Sequence, residues 1–247
     1  PKLPFHDENL ISDDKMRRDT WEGNEWNSFS RKLRDWLNSV ANKNEDNNWD
    51  AFVAYQMVFF LANSGMRLGE VVKVRNKDVR FYKRQTPEYR NKEMVCVLVQ
   101  VHKSTKTGAR EVNAMGGEFA KRIFVKSKFQ RKNDFLFAHL DGSPFTTKQF
   151  RTWFQRMIAF TDENERWGKN LVPYSLRHLY ATTRLQNGTS KGALCENMGV
   201  TEPYLRKHYS HYLTRLATDD LMKINKDIGL GGKVFSKDDF LLPEPSK

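Results

Sequence analysis

The sequence predicts a mainly helical α+β domain carrying a small three-stranded antiparallel sheet. Apolar residues recur at three- and four-residue steps in both the first and last thirds, the period shortens to strand-like runs between Asp78 and Met115, and capping residues punctuate the last third. With 247 residues and 38% apolar composition, the chain can bury roughly 70–75% of its unfolded surface and needs no covalent staples to fold.

Residues 1–19 are polar and irregular, and Thr20-Trp21-Glu22-Gly23 then opens an amphipathic helix with Trp26, Phe29, Leu33 and Leu37 on one face. Residues 42–48 read as a polar loop, after which Asp50 is placed to cap an apolar helix that stops at Asn63-Ser64-Gly65. Met66-Arg67-Leu68-Gly69-Glu70 leads into a shorter helix. Val79–Tyr82, Met94–Val101 and Glu111–Ala114 are β-branched, aromatic or alternating runs, and Lys103–Gly108 makes the hairpin turn between the last two. Helix resumes after Gly116-Gly117, the turn Asp141-Gly142-Ser143-Pro144 follows Asp134-Phe135-Leu136-Phe137, and a helix runs from Thr146 to about Phe160. Three helices close the pattern: Ser175 to Asn187-Gly188, Ser190 to Gly199, and one capped by Thr201 with Pro203 in its first turn. The tail, residues 226–247, is rich in Gly, Lys, Asp and Pro and suits either flexibility or docking on a partner.

The formal charge of +12, from 42 Lys and Arg against 30 Asp and Glu, creates a field that concentrates polyanions. Nucleic acid is the leading partner class, with a basic solvated surface as the plainer alternative. Two cysteines, Cys96 and Cys195, lie outside any ligand-spaced cluster and fit buried, inert thiols in a reducing compartment. The longest apolar run, Ala51–Ala62, contains Gln56 and falls short of the ~20 residues of a membrane span. Pro1 stands where a methionine would start a complete chain, which points to a longer protein.

Arg67, Lys106, Arg177 and Tyr209 together suit attack on a phosphodiester. Two guanidinium forks can hold non-bridging oxygens and stabilise the charge of a pentacoordinate transition state. A lysine can protonate a leaving alkoxide, and a phenolic oxygen can be the nucleophile that becomes bonded to phosphorus. Taken singly, each residue also fits a plainer role: a solvated or paired arginine, a turn lysine, an amphipathic core tyrosine with Tyr204 and Tyr212 as local competitors.

In this order the residues resemble the tyrosine recombinase, or phage integrase, family over about Thr20 to Tyr212. Ser64-Gly65-Met66-Arg67-Leu68-Gly69-Glu70 is similar to the box that carries the family's first catalytic arginine, and Lys106-Thr107-Gly108 to the hairpin with its lysine. Phe135-Leu136-Phe137 with Gly142-Ser143-Pro144 is similar to the segment before the second box. Tyr174-Ser175-Leu176-Arg177-His178 resembles that box, with Arg177 as its arginine, and Met198-Gly199 followed by Lys207-His208-Tyr209 resembles the last, with Tyr209 as nucleophile.

The resemblance implies residues 20–212 as catalytic domain, residues 1–19 as the linker from an absent amino-terminal DNA-clamping domain, and residues 213–247 as a helix and tail docking on a neighbour. It also implies DNA strand exchange through a 3′-phosphotyrosine with neither metal nor nucleotide cofactor, four protomers on two duplex sites, and a monomer for the isolated fragment. No membrane association is expected. The setting it implies is the cytoplasm, with a bacterial or phage-encoded protein acting at the nucleoid.

Two positions depart from the family pattern: Tyr174 stands where His or Lys is usual, and Val200 where His or Trp is usual. Tyr174 can donate to a phosphate oxygen, but a phenol with a reference pKa near ~10 is a poor proton acceptor at neutral pH. Glu70, one helical turn beyond Arg67, is expected to orient that guanidinium, and His178 to hold structure by hydrogen bonding. His208 and His211 flank Tyr209 as supporting groups, and Lys103, Arg110, Arg206 and Lys207 are the expected DNA contacts.

Ser190–Leu205 also scans as a helix-turn-helix, which would place Tyr204, Arg206 and Lys207 in a major groove of DNA without any chemistry. Such a reader needs neither Arg67 nor Lys106. A type IB topoisomerase would use the same chemistry without strand exchange.

Overall fold

The computed structural model describes residues 19–40, 45–85, 93–102 and 108–216. Helices α1 (Glu25–Val40), α2 (Glu45–Ser64) and α3 (Leu68–Val71) lead through a 3₁₀ turn to strands β1 (Val79–Gln85), β2 (Glu93–Val101) and β3 (Arg110–Ala114). Helices α4 (Gly117–Lys126), α5 (Thr147–Thr161), α6 (Glu163–Trp167), α7 (Pro173–Gln186), α8 (Lys191–Met198) and α9 (Glu202–Leu216) follow. The strands form one antiparallel sheet in the order β1-β2-β3, with Val99 of β2 opposite Val79 of β1 and Val112 of β3. Among the described residues no helix is long and apolar enough to cross a membrane.

The sequence pattern explains where the core sits. Helix α2 is apolar on nearly all sides, so α1, α4, α5 and α7 pack around it, and Met57, Val58, Phe60 and Leu61 are buried. Phe29, Leu33 and Trp36 from α1 and Val97, Val99 and Val112 from one face of the sheet join the same core. A second, smaller cluster joins α7, α8 and α9 through Tyr180, Leu185, Leu194, Met198, Leu205 and Tyr209. Gly65 ends α2 beside that second cluster with φ of +64°, and a Cβ there would lie 2.3 Å from the Tyr180 ring. Only glycine lets the chain turn there with Tyr180 packed on it.

Several boundaries differ from the pattern-based expectation, each for a tertiary reason. Helix α1 starts at Glu25 rather than Thr20, because Trp21 turns into the core and stacks on Phe29 at 4.8 Å. Asp50 is not a cap. Helix α2 begins at Glu45 because Trp49 donates to Ala138 O at 2.9 Å and packs on Phe52, which anchors an extra turn that its polarity alone would not support. Asp50 instead meets His139 Nδ1 at 2.7 Å.

Ser175 is not the cap of α7 either: Pro173 occupies the first helical position, and the Ser175 hydroxyl accepts the Val172 N–H at 3.1 Å. Ser190 does cap α8 by accepting the Ala193 N–H, Gly199 stops α8 with φ of +63°, and the Thr201 hydroxyl accepts the Tyr204 N–H. Cys96 is buried as expected, whereas Cys195 is only partly covered; burial, then Glu202 and Glu196, push its thiol pKa up. Of the hairpin turn Lys103–Gly108, residues 103–107 lie outside the described residues, as does the tail beyond Leu216.

Candidate active site

Arg67 and Arg177 come together at the end of α8. Arg67 occupies the position before α3, in extended backbone, so its own N–H meets Glu70 Oε2 at 3.0 Å while its Nη1 reaches Oε1 at 3.2 Å. Its Nη2 crosses to the carbonyl of Gly199 at 3.1 Å. Arg177 is 2% exposed and donates from Nη1 to Gly65 O at 2.5 Å and from Nη2 to Met198 O at 2.8 Å. Its Nε is buried without a hydrogen-bond partner among the described residues. Burial first, then the nearby charge of Arg67, lower the Arg177 pKa, against the opposing influence of Tyr174, Glu70 and Tyr209.

Arg110 is placed differently from the DNA contact expected of it. Its Nη1 and Nη2 donate to Glu70 Oε1 and Oε2 at 3.0 and 2.7 Å, its Nε donates to Asn197 O at 3.1 Å, and its side chain is 10% exposed. Glu70 therefore takes a bidentate fork from Arg110 as well as both bonds from Arg67. Burial alone would raise the Glu70 pKa, but the Arg110 hydrogen bonds, the Arg67 N–H and the two positive charges outweigh it and hold the carboxyl below its ordinary value. Three consecutive carbonyls at the end of α8, those of Asn197, Met198 and Gly199, thus receive Arg110, Arg177 and Arg67. A helix C-terminus carries unsatisfied carbonyls and partial negative charge, which suits cations there.

Tyr209 reaches this site from α9. It is 3% exposed, and its hydroxyl lies 2.6 Å from His178 Nδ1, on the residue that follows Arg177 in α7. Tyr174, one turn earlier, sets its ring edge-on to His178 at 4.9 Å, and its hydroxyl pairs with the Tyr204 hydroxyl at 2.7 Å. Burial, then the Tyr174 hydrogen bond, push the Tyr204 phenol up to about 12. Of the two tyrosines competing with Tyr209, Tyr204 is therefore poorly suited to ionise; the side chain of Tyr212 lies outside the described residues.

His208 is half-buried, with its ring 4.3 Å from Tyr204 and 6.5 Å from His178. His211 falls within α9, but its side chain is outside the described residues, and Lys103 and Lys106 are outside them altogether. Arg206 and Lys207 are exposed on α9, and Arg206 pairs with Glu202 at 3.2 Å.

Sequence reasoning passed over Asn197. Its Oδ1 accepts the Asn113 N–H at 2.7 Å, and its Nδ2 donates to Tyr180 Oη at 2.8 Å and Ser64 O at 3.3 Å. One amide thus ties the end of α8 to β3, α7 and α2. Its place just before the Met198-Gly199 stop is the one sequence cue, and it names no partner.

The order of these residues along the chain has a known counterpart: residues 35–215 match the model of the phage integrase family. The chain belongs to the phage integrase family. Tyrosine recombinase XerC of Listeria monocytogenes is 25% identical over 104 residues, which cover 42% of this chain and 33% of that protein. The crystal structure of the XerH site-specific recombinase bound to a palindromic difH substrate shares the fold, with a TM-score of 0.58 at 17% identity over 81% of this chain and 52% of that one. The Tn1549 transposon integrase in complex with circular intermediate DNA superposes with a TM-score of 0.53 at 17% identity, covering 82% of this chain and 67% of that one. This integrase-family chain therefore spans a third of XerC and about half of XerH.

Proposed function

We propose that the chain is the catalytic part of a site-specific recombinase that cleaves and rejoins duplex DNA through a 3′-phosphotyrosine at Tyr209. The observation that carries this reading is Arg177. A buried guanidinium that donates to two carbonyls, with Nε unpartnered among the described residues and Arg67 beside it, favours an anionic oxygen at that place. A phosphodiester supplies such oxygens, and Tyr209 lies against the residue next to Arg177.

In the proposed reaction Tyr209 Oη attacks phosphorus, Arg67 and Arg177 stabilise the added charge, and Lys106 protonates the departing 5′ oxygen. The 5′ hydroxyl of a partner strand then reverses the attack. The phosphate bond energy is kept in the covalent intermediate. Tyr174 Oη pairs with Tyr204 Oη, where either hydroxyl can be the donor, and with Tyr204 donating the Tyr174 O–H can donate to the phosphate. Four copies on two duplex sites complete the proposal, with Arg206 and Lys207 on the exposed side of α9 as phosphate contacts. The helix-turn-helix alternative gains a correctly capped α8 and α9, but it leaves Arg67 and Arg177, gathered at the end of α8, without a purpose.

A nicked duplex carrying the recombination site tests the proposal. Wild type should leave a denaturant-resistant protein–DNA adduct and Tyr209→Phe none. Tight binding with no adduct would establish the DNA-reading alternative, and relaxation of supercoils without exchange between two sites would establish the topoisomerase one.

A further inference from the structure

We propose that His178 is the base that takes the proton from Tyr209, an assignment that rests on the recombinase reading above. Nδ1 of His178 lies 2.6 Å from Tyr209 Oη, the atom that attacks phosphorus in that reaction. Both residues are buried, at 6% and 3% exposure, so the imidazole rather than bulk water stands ready to receive the proton. The position where the family usually carries His or Lys holds Tyr174, whose hydroxyl is bonded to Tyr204, and the other departing position holds the apolar Val200.

The helix itself explains why one segment can serve both ends of the reaction. Successive residues of an α-helix point about 100° apart, so Arg177 faces the end of α2 and α8 while His178 faces α9. One turn of α7 therefore presents a phosphate-binding guanidinium and an acceptor for the nucleophile's proton. Among the described residues, the charged and titratable groups around the pair include Tyr174 and Arg177 on α7, Tyr204 and His208 on α9, and Arg67 and Glu70 at α3. Arg177 interacts electrostatically with Tyr209, and a positive charge there favours the phenolate as the proton leaves.

As the Oη–P bond forms, the Oη proton moves to Nδ1, while Nε2 carries the other ring proton and the imidazole becomes imidazolium. The P–O5′ bond breaks with its electron pair on the 5′ oxygen, which takes a proton from Lys106. In rejoining, the 5′ hydroxyl gives its proton to the neutral Lys106 as its oxygen bonds to phosphorus, the P–Oη bond breaks with its electron pair on Oη, and His178 returns its proton to Oη.

Single-turnover adduct formation on the nicked duplex, measured across pH for wild type and His178→Gln alongside the binding constant, tests the assignment. The glutamine keeps a hydrogen bond to Tyr209 but cannot accept its proton. It should slow adduct formation by about 10²–10⁴-fold at unchanged affinity and abolish the fall in rate toward acidic pH. Adduct formation at the wild-type rate with the wild-type pH profile overturns it. Nitrogen-15 NMR of wild-type protein decides even where the variant fails to fold: a neutral ring with Nδ1 unprotonated is expected, and an Nδ1–H donating to Tyr209 overturns the proposal. A wild type that forms no adduct sinks the recombinase reading itself. An active wild type with an indifferent His178→Gln sinks only His178.

Discussion

Arg67 and Arg177 donate to neighbouring main-chain carbonyls, those of Gly199 and Met198, at the C-terminal end of α8. The two guanidiniums are therefore positioned by one short helix, and Arg110 on Asn197 O braces the same end. Gly199 is the hinge of that arrangement: its φ is +63°, and a Cβ would lie 3.0 Å from the Arg110 guanidinium. Gly199→Ala should cost about 1–2 kcal/mol for the left-handed conformation alone. It should also lower adduct formation more than that stability loss explains, because both arginines share the displaced helix end. Urea unfolding and single-turnover cleavage measure the two effects separately.

Glu70 holds two arginines in a buried setting, so Glu70→Gln should cost about 3–5 kcal/mol by leaving Arg67 and Arg110 without their counter-charge. The sign with pH follows from its lowered pKa. A carboxyl whose native pKa lies below the unfolded value stabilises the fold fully above that unfolded value, near ~4.3, and loses the contribution as pH falls through the native one. Acid unfolding of wild type should therefore be steeper than that of Glu70→Gln in that window. Equal slopes would contradict the pairing.

Binding to duplex DNA should separate surface cations from internal ones. Arg206→Ala and Lys207→Ala should each reduce the slope of log K against log salt by about 0.9, since in the proposed complex each side chain neutralises one phosphate. Arg110→Lys should destabilise the protein and leave the slope unchanged, because the Arg110 guanidinium is turned inward onto Glu70 and Asn197. A slope change with Arg110→Lys would return Arg110 to the DNA surface.

Tyr174→Phe removes the phenol that bonds Tyr204. The Tyr204 phenol, now pushed up to about 12 by burial and then by that bond, should titrate closer to its ordinary ~10 in the variant. Absorbance titration of Tyr174→Phe against a Tyr174→Phe/Tyr204→Phe double variant isolates the one phenol. An unmoved titration would show that burial alone sets it.

The features that could be read from the sequence are the local ones. Ser190, Gly199 and Thr201 bracket α8 and α9 because a cap needs only a hydroxyl or a glycine within one turn. The strand runs were legible because Val97, Val99 and Val112 alternate into a buried face. Asp50 misled because Trp49 finds its partner, Ala138 O, far along the chain. Arg110 looked like one more basic residue of a hairpin, and nothing local says that Glu70 lies across from it. His178 was expected only to support the structure, since its contact with Tyr209 exists only once α7 and α9 pack. The motif residues Arg67, Arg177 and Tyr209 stood out by order along the chain; the network that aims them did not.

The most direct measurement is mass spectrometry of the peptide that stays linked to an oligonucleotide after adduct trapping and proteolysis. The expected result is a nucleotide on the peptide containing Tyr204, Tyr209 and Tyr212, with fragmentation assigning it to Tyr209 and the adduct absent from Tyr209→Phe. A nucleotide on Tyr204 or Tyr212, or no linked peptide from protein that binds its duplex tightly, would contradict the proposed chemistry.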